Sequence, residues 1–477
     1  MQKKEENYLP KNKFLPSSNR LAKGKKNWFV TFGHRFADGS IGTKISHFIM
    51  GFGNFYHKQI IKGLLYFIIE AGFAFLMIFS PKVNDTPIGA KALVNLITLG
   101  TNEGDIFTNA DNSMLMLLFG VITWGIIFLF IFAYNSNLKS SYKSDLEVRK
   151  GKKPSSFKDD LKDLLDGRFH VAMLTPSIIG IITFTVLPTI FMILIAFTNY
   201  DSLHLPPNNL FDWVGLDNFI AIFSGSGNEI SARFGSVLGW TIIWAFFATF
   251  TCYIGGILLA LVINNKHIKA KKLWRTIFVL TIALPQFISL LAVRNILSKE
   301  GPFNALLVFL GIIEQGNGIQ FLGSADSILT AKIMVIVINM WIGIPYTMLM
   351  TSGILMNVPA ELYEAAQIDG ATKRQAFYHI TVPYILFVTS PYLITSFVGN
   401  ITSFNIIYLL TGGSPAVPGY IAGGTDLLVT WLYKLTIDQS EYSTGAVVSI
   451  MTFIITATIT LISYRRTKTY KEEDAFQ

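Results

Sequence analysis

Pro359-Ala-Glu-Leu-Tyr-Glu-Ala-Ala-Gln-Ile-Asp-Gly-Ala371 is a polar stretch between two long apolar runs, and it continues to Ile380 and Pro383. The apolar runs have the length of membrane-spanning helices, which need about 20 residues each. A short turn is enough to join two such helices. The polar residues from 357 to 383 are numerous enough to form helices of their own, which predicts a docking surface for another protein.

The polar stretch carries start and stop signals for two helices. Pro359 suits the first turn of a helix, where its missing N–H costs nothing, and Glu364 lies near that start, where a carboxylate complements the helix dipole. Gly370 supplies a stop because glycine tolerates the left-handed conformation that ends helices. Thr372 and Gln375 form a capping box that starts a second helix. From these residues alone, an amphipathic hairpin that rests on the membrane is an equally good interpretation.

The composition indicates an integral membrane protein. Of the 477 residues 51% are hydrophobic and only 14% are charged, whereas a soluble domain usually has about 25% charged residues. The net charge of +9 is explained by Lys and Arg in cytoplasmic loops, so it does not point to nucleic acid. The single cysteine, Cys252, excludes an internal disulfide and a multi-cysteine zinc site.

Hydropathy over windows of about 19 residues predicts eight membrane spans. They cover residues 61–80, 113–134, 170–198, 236–264, 274–298, 331–355, 384–410 and 443–464. Lys and Arg concentrate in both terminal segments and in every second loop, whereas residues 199–235 contain only Arg233. Because such residues mark cytoplasmic loops, both termini and the polar stretch are predicted to face the cytoplasm.

The predicted fold is therefore an all-α membrane protein with eight transmembrane helices. Residues 1–60 form a basic tail, with Lys23, Lys25 and Lys26, and an interfacial segment in which His47–Lys62 could be one helix. Two accessory spans occupy 61–134, a cytoplasmic linker 135–169, the six-span core 170–466 and a short cytoplasmic tail 467–477. The linker contains a predicted solvated helix, Phe157 to Leu165.

The two spans that flank the polar stretch have polar faces. Asn339, Gly343 and Tyr346, with Ile342 beside them, share one face, and Ser396 and Asn400, with Gly399 adjacent, share another. A buried amide or hydroxyl needs a partner, because an unpaired one costs a few kcal/mol. For any single residue, hydrogen bonding between packed helices is the simpler explanation, and a binding site is the alternative.

The spacing Glu364-Ala-Ala, three residues, Gly370, nine residues, Ile380-x-x-Pro383 resembles the coupling loop of bacterial ABC importer permeases. Residues 170–466 are similar to the larger membrane subunit of the maltose/maltodextrin type, for example at Asn339-Met-Trp-Ile-Gly-Ile-Pro-Tyr346 and Ser396-Phe-Val-Gly-Asn400. The last six spans are thus expected to form an ABC importer permease core.

The resemblance also implies residue roles. Coupling to the ATPase is implied for Glu364, Ala365, Ala366, Asp369, Gly370, Ile380 and Pro383. Sugar binding is implied for Asn339, Ile342, Gly343, Tyr346, Ser396, Gly399 and Asn400. Gly343 would leave room for a sugar ring, and Gly399 stands where the family has an aromatic residue, which predicts a wider pocket.

The partners that the resemblance implies are a second permease subunit, an ATPase dimer, an extracytoplasmic sugar-binding protein, an oligosaccharide substrate and membrane lipid. ATP and Mg would be bound by the ATPase, and this chain would hold no cofactor or metal. Gly151-Lys152-Lys153 lacks the upstream glycine and the Ser/Thr of a phosphate-binding loop, in agreement with that expectation.

Two rival functions remain open at this stage. The same importer could carry another oligosaccharide or a glycerol phosphate, although a phosphate would favour basic residues on the polar faces. A more distant rival is an ion-coupled secondary transporter that uses Glu70, an ionisable residue within the first predicted span.

Overall fold

The computed structural model describes residues 28–102, 110–207, 209–224, 229–265, 267–323 and 328–466. The predicted basic cluster at Lys23, Lys25 and Lys26 and the tail 467–477 lie outside the described residues. The described chain is helical apart from one short antiparallel strand pair, in which Lys82 pairs with Pro87, and an isolated bridge between Thr198 and Trp213. It divides into two compact units, 1–98 with 114–188, and 99–113 with 189–477.

The first unit begins with short helices and then contains three long ones. Its elements are α1 Trp28–Asp38, α2 Ile41–Ile45, α3 Phe52–Tyr56, α4 Ile60–Phe79, β1 Lys82–Val83, β2 Thr86–Pro87, α5 Ala90–Thr98, α6 Ser113–Arg149, α7 Phe157–Leu165 and α8 Phe169–Ile181. A π-helical turn, Ile182–Val186, joins α8 to α9, Leu187–Ile195, which continues into the second unit.

The second unit contains both polar faces and the polar stretch. Its elements are α10 Asp217–Phe223, α11 Glu229–Asn264, α12 Lys271–Ala283, α13 Gln286–Ile296, α14 Pro302–Phe309, α15 Ile328–Met356, α16 Ala360–Ile368, α17 Lys373–Ala376, α18 Val382–Ile401, α19 Asn405–Leu410, α20 Leu428–Tyr433 and α21 Tyr442–Arg466. Further π-helical turns are Phe377–Thr381 and Lys434–Asp438.

Among the described residues, seven helices are long and apolar enough to cross a membrane. They are Ile60–Phe79, Ser113–Arg149, Phe169–Ile195, Ile230–Asn264, Ile328–Met356, Lys373–Ile401 and Tyr442–Arg465. The predicted fifth span, 274–298, is not one straight helix: α12 and α13 meet at 93°. Pro285 explains the break, because it lacks an N–H and holds Leu284 in an extended conformation, with ψ of 133°.

Three boundaries differ from the prediction. The helix α6 runs to Arg149, through the first part of the predicted linker, where residues 135–150 contain no Gly or Pro. The predicted span 384–410 is too long, since α18 ends at Ile401 and α19 is separate. His47–Lys62 is not one interfacial helix but contains α3 between turns. The solvated helix Phe157–Leu165 is confirmed, with a Ser156/Asp159 capping box.

The two longest core helices of the second unit, α11 and α15, pack closely. Gly255 and Gly256 allow this, since a Cβ on Gly256 would lie 2.4 Å from the Thr347 Cβ. Small residues at such contacts let membrane helices approach each other. Trp240 and Trp244 of α11 and Val335 of α15 continue the contact as an apolar core. The packing fixes α15, which carries the polar face at Asn339.

Candidate functional site

A cavity of about 560 Å³ lies within the second unit, in the range of about 300–1,000 Å³ that is typical of ligand pockets. Its walls come from α11, the break between α12 and α13, α15, α18 and the start of α19. The lining residues are Ala248, Cys252, Thr281, Ile282, Ala283, Leu284, Pro285, Gln286, Asn339, Ile342, Gly343, Tyr346, Tyr392, Ser396, Asn400, Ser403 and Ile406. None of these carries a charge at neutral pH, so the cavity is polar but neutral.

The cavity brings together six of the seven residues predicted for binding. They are Asn339, Ile342, Gly343, Tyr346, Ser396 and Asn400. Gly399 is on the same helix as Ser396 but is not part of the lining, and a Cβ added there meets no atom of the chain within 4 Å. The wider pocket that Gly399 predicts stays a prediction.

The two asparagines also join helices. The Asn400 amide nitrogen donates to Thr249 Oγ1 at 2.9 Å, and the Asn339 amide nitrogen donates to Cys252 Sγ at 3.5 Å. An asparagine side chain offers two N–H groups and one oxygen. Among the described residues, no hydrogen bond uses Oδ1 of either asparagine, so each amide links helices and keeps an acceptor for a ligand.

Gly343 allows a close contact between two helices, which the sequence did not indicate. A Cβ at this position would lie 2.5 Å from Cys252 Sγ, so the glycine allows α11 to approach α15. Gly343 also lines the cavity. That it leaves room for a sugar ring stays a prediction.

The structure adds an aromatic residue that sequence reasoning missed. The rings of Tyr346 and Tyr392 lie 6.0 Å apart at 30°, and both line the cavity. Tyr392 precedes Ser396 by four residues and Asn400 by eight, so extending the polar face by one helical turn would have found it. No sequence pattern pointed to Gln286 and Ser403, because breaks between helices bring them to the cavity wall.

The polar stretch forms a separate surface in the same unit. Helix α16 spans Ala360–Ile368, and Gly370 follows with φ of +77°, as its role as a stop requires. The capping box of Thr372 and Gln375 is present and starts α17. A hydrogen bond of 2.8 Å between the hydroxyls of Tyr363 and Thr381 ties the two arms together.

The residues predicted for coupling are largely accessible on this surface. Glu364, Ala365, Asp369, Gly370 and Pro383 are exposed, and Ala366 and Ile380 are half-buried. Beside them Ile368 exposes 86% of its surface and Leu362 exposes 45%.

Seven apolar helices, a neutral polar cavity and an exposed helical surface between two of the helices are typical of a multi-pass membrane transport subunit. The sequence model for "Binding-protein-dependent transport system inner membrane component" matches residues 252–467. The maltodextrin transport system permease protein MalC of Streptococcus pneumoniae is 36% identical over 89% of this chain and 95% of that protein. The galactooligosaccharides transport system permease protein GanP of Bacillus subtilis is 34% identical over 89% of this chain and 97% of its own.

A solved structure gives the same result. The chain is similar to a subunit of a bacterial ABC transporter involved in the import of the acidic polysaccharide alginate, with a TM-score of 0.52, 25% identity and coverage of 65% of this chain and 99% of that one. The chain therefore belongs to the inner membrane components of binding-protein-dependent ABC importers, among the permeases of the maltose/maltodextrin type. It is a transport subunit and not an enzyme, and ATP hydrolysis belongs to a separate subunit.

Proposed function

We propose that this permease carries neutral oligosaccharides of the maltodextrin class through the cavity between α15 and α18. The uncharged lining is the observation that carries the proposal. Free amide oxygens on Asn339 and Asn400 and the hydroxyl of Ser396 match sugar hydroxyls. A glycerol phosphate or an acidic sugar would need cations there, and the cavity has none.

The aromatic pair supplies the other half of sugar recognition. Sugar rings have apolar faces that pack on aromatic side chains, and Tyr346 exposes 54% of its surface. Tyr392 lies beside it, so two rings are available along one wall. Adjacent rings suit a chain of sugar units better than a single one, which favours an oligosaccharide.

The proposed mechanism is alternating access driven by a partner ATPase. The termini and residues 357–383 face the cytoplasm, α12 and α13 together count as one of eight spans, and the accessory spans precede the core at 170. Closure of the ATPase dimer moves α16 through Glu364, Ala365 and Ala366. Because α15 ends where this surface begins and α18 starts where it ends, the movement reaches both walls of the cavity.

The remaining partners follow from the same proposal. A second permease subunit completes the pathway, and an extracytoplasmic binding protein delivers the sugar on the opposite side of the membrane. ATP and Mg bind to the ATPase subunits and supply the energy. In this arrangement the present chain contributes the sugar cavity and one of the two coupling surfaces.

The test is stimulation of ATP hydrolysis by the reconstituted importer with its binding protein and a panel of maltotriose, galactotriose and glycerol phosphate. Tyr346→Ala and Asn400→Ala are expected to lower maltotriose uptake about 10-fold, as loss of one ring contact or one buried hydrogen bond predicts. Gly239→Ala is the control, because position 239 lines neither cavity and has open space for a methyl group.

Response to galactotriose alone would replace the maltodextrin assignment with the cargo named for the Bacillus subtilis relative, and would keep the importer class. Equal uptake by all three variants would contradict the cavity as the sugar site. An ion-coupled transporter remains the distant alternative, and it depends on Glu70. In the structure, this carboxylate accepts a hydrogen bond of 2.8 Å from the Met50 backbone N–H.

A further inference from the structure

A second, smaller cavity of about 70 Å³ lies where α11, α15 and the loop before α20 meet. It shares no residue with the sugar cavity. The lining residues are Arg233, Ser236, Val237, Trp240, Ile328, Lys332, Gly423, Gly424 and Asp426. Arg233 and Lys332 are each the fifth residue of their helix. Since α15 ends at the coupling surface, Lys332 is at the other end of that helix.

The two cationic side chains of this cavity, Arg233 and Lys332, each contact an aromatic ring. Lys332 Nζ lies 4.5 Å from the centre of the Trp240 ring, and the Arg233 guanidinium carbon lies 5.1 Å from that of Tyr420. Contacts of this kind orient a cation without neutralising it. Among the described residues, neither Arg233 nor Lys332 takes part in an ion pair.

The one carboxylate in the lining is already paired with another cation. Asp426 accepts hydrogen bonds from the Gly423 backbone N–H at 2.7 Å and from Thr430 Oγ1 at 2.9 Å. Its charge is balanced by Lys434, at 2.6 Å. The described lining therefore carries two positive charges that no described carboxylate neutralises.

Arg233 also has unused donors. Its Nη2 donates to the carbonyl oxygens of Ala422 at 3.1 Å and Gly423 at 3.3 Å. Its Nε is buried and has no hydrogen-bond partner in the structure. A buried N–H without an acceptor costs about 1–3 kcal/mol, so an oxygen atom placed beside this Nε would lower the free energy.

We propose that this cavity receives the carboxylate of one aspartate or glutamate side chain on the extracytoplasmic binding protein. The inference rests on the proposed function, since it needs an importer with such a protein. The cavity is too small for an oligosaccharide, given that ligand pockets usually exceed about 300 Å³, but a carboxylate group is compact. Arginine and lysine fixed beside each other favour such a group, because charge-assisted hydrogen bonds are the stronger kind.

The position of the cavity supports a docking role. Arg233 and Lys332 lie near the helix ends that are remote from the coupling surface, residues 357–383. The third wall of the cavity is the loop that carries Gly423 and Gly424. A carboxylate bound there would hold α11, α15 and this loop together. Docking of the binding protein would thus be sensed by α15, the helix that also carries Asn339 and Tyr346.

The experiment measures ATP hydrolysis by the reconstituted importer against the concentration of sugar-loaded binding protein. Lys332→Met and Arg233→Gln are expected to raise the half-saturating concentration about 10-fold, as loss of one charged contact at an interface predicts. Lys332→Arg should restore the wild-type value, because it returns the charge. Arg294→Gln is the matched control, since it removes an exposed arginine elsewhere in the same unit.

A half-saturating concentration within two-fold of wild type for both variants would overturn the inference. That result is distinguishable from failure of the proposed function, in which the wild type itself would show no response to a binding protein. If the variants do not assemble, competition by acetate tests the proposal on the wild-type importer. Acetate at constant ionic strength should compete with the binding protein, whereas acetate that stimulates transport without affecting docking would show a free-anion site and overturn the assignment.

Discussion

Replacement of Glu364 by lysine is expected to abolish sugar uptake, by at least about 100-fold, because a reversed charge at a protein interface costs several kcal/mol. Glu364 is exposed on α16, next to exposed Ala365 and half-buried Ala366. A long cation there would oppose a partner surface shaped for a carboxylate and small side chains. The measurement is uptake into proteoliposomes, together with the amount of ATPase subunit that copurifies with the variant.

Glu361→Lys is the matched control, since it makes the same change in the first turn of the same helix. We expect a smaller loss, because the coupling pattern places Glu364 and not Glu361 beside the small residues. Uptake within two-fold of wild type for Glu364→Lys, combined with loss of uptake for Glu70→Gln, would contradict the coupling surface. That pair of results would favour the ion-coupled alternative.

The local fold of the polar stretch, residues 357–383, was predictable from the sequence because short-range interactions decide its shape. Pro359, Gly370 and the capping box of Thr372 and Gln375 each act within one helical turn, and all three features are present in the structure. The polar faces at Asn339 and Ser396 were also readable, since helical periodicity alone places residues on one side. Periodicity does not reveal which helix packs against each of these faces.

Long-range packing explains the parts that the sequence left open. The break at Leu284 and Pro285 brings Gln286 to the cavity, and no local signal reveals which helix the bend approaches. Gly343 leaves space for the side chain of Cys252, which is distant in the sequence. The helix α6 continues beyond its apolar residues because one face of its polar half is buried, where Asp145 accepts a 2.5 Å hydrogen bond from the Thr43 hydroxyl. Hydropathy predicts where a span becomes polar, not where its helix ends.

Gly256→Leu is expected to destabilise the core strongly. A Cβ at position 256 would lie 2.4 Å from the Thr347 Cβ and 2.9 Å from the Met348 backbone nitrogen. The backbone of α15 cannot rotate away as a side chain could, so α11 and α15 must separate. Overpacking a core costs about 1–3 kcal/mol and occasionally more, and this contact is at the upper end because it also withdraws α15 from the cavity. The yield of monodisperse protein and the midpoint of thermal unfolding in detergent measure the effect.

Gly239→Leu tests whether the effect belongs to the contact or to the loss of any glycine. Gly239 is on the same helix, and a Cβ added there meets nothing within 4 Å. Both substitutions replace a helical glycine by a good helix former, so their effects on helix propensity are alike. We expect Gly239→Leu to retain the wild-type midpoint of thermal unfolding and Gly256→Leu to have a lower one. Equal midpoints for the two variants would show that α11 and α15 do not approach each other as closely as the structure places them, and the position of Asn339 in the cavity wall would then have to be revised.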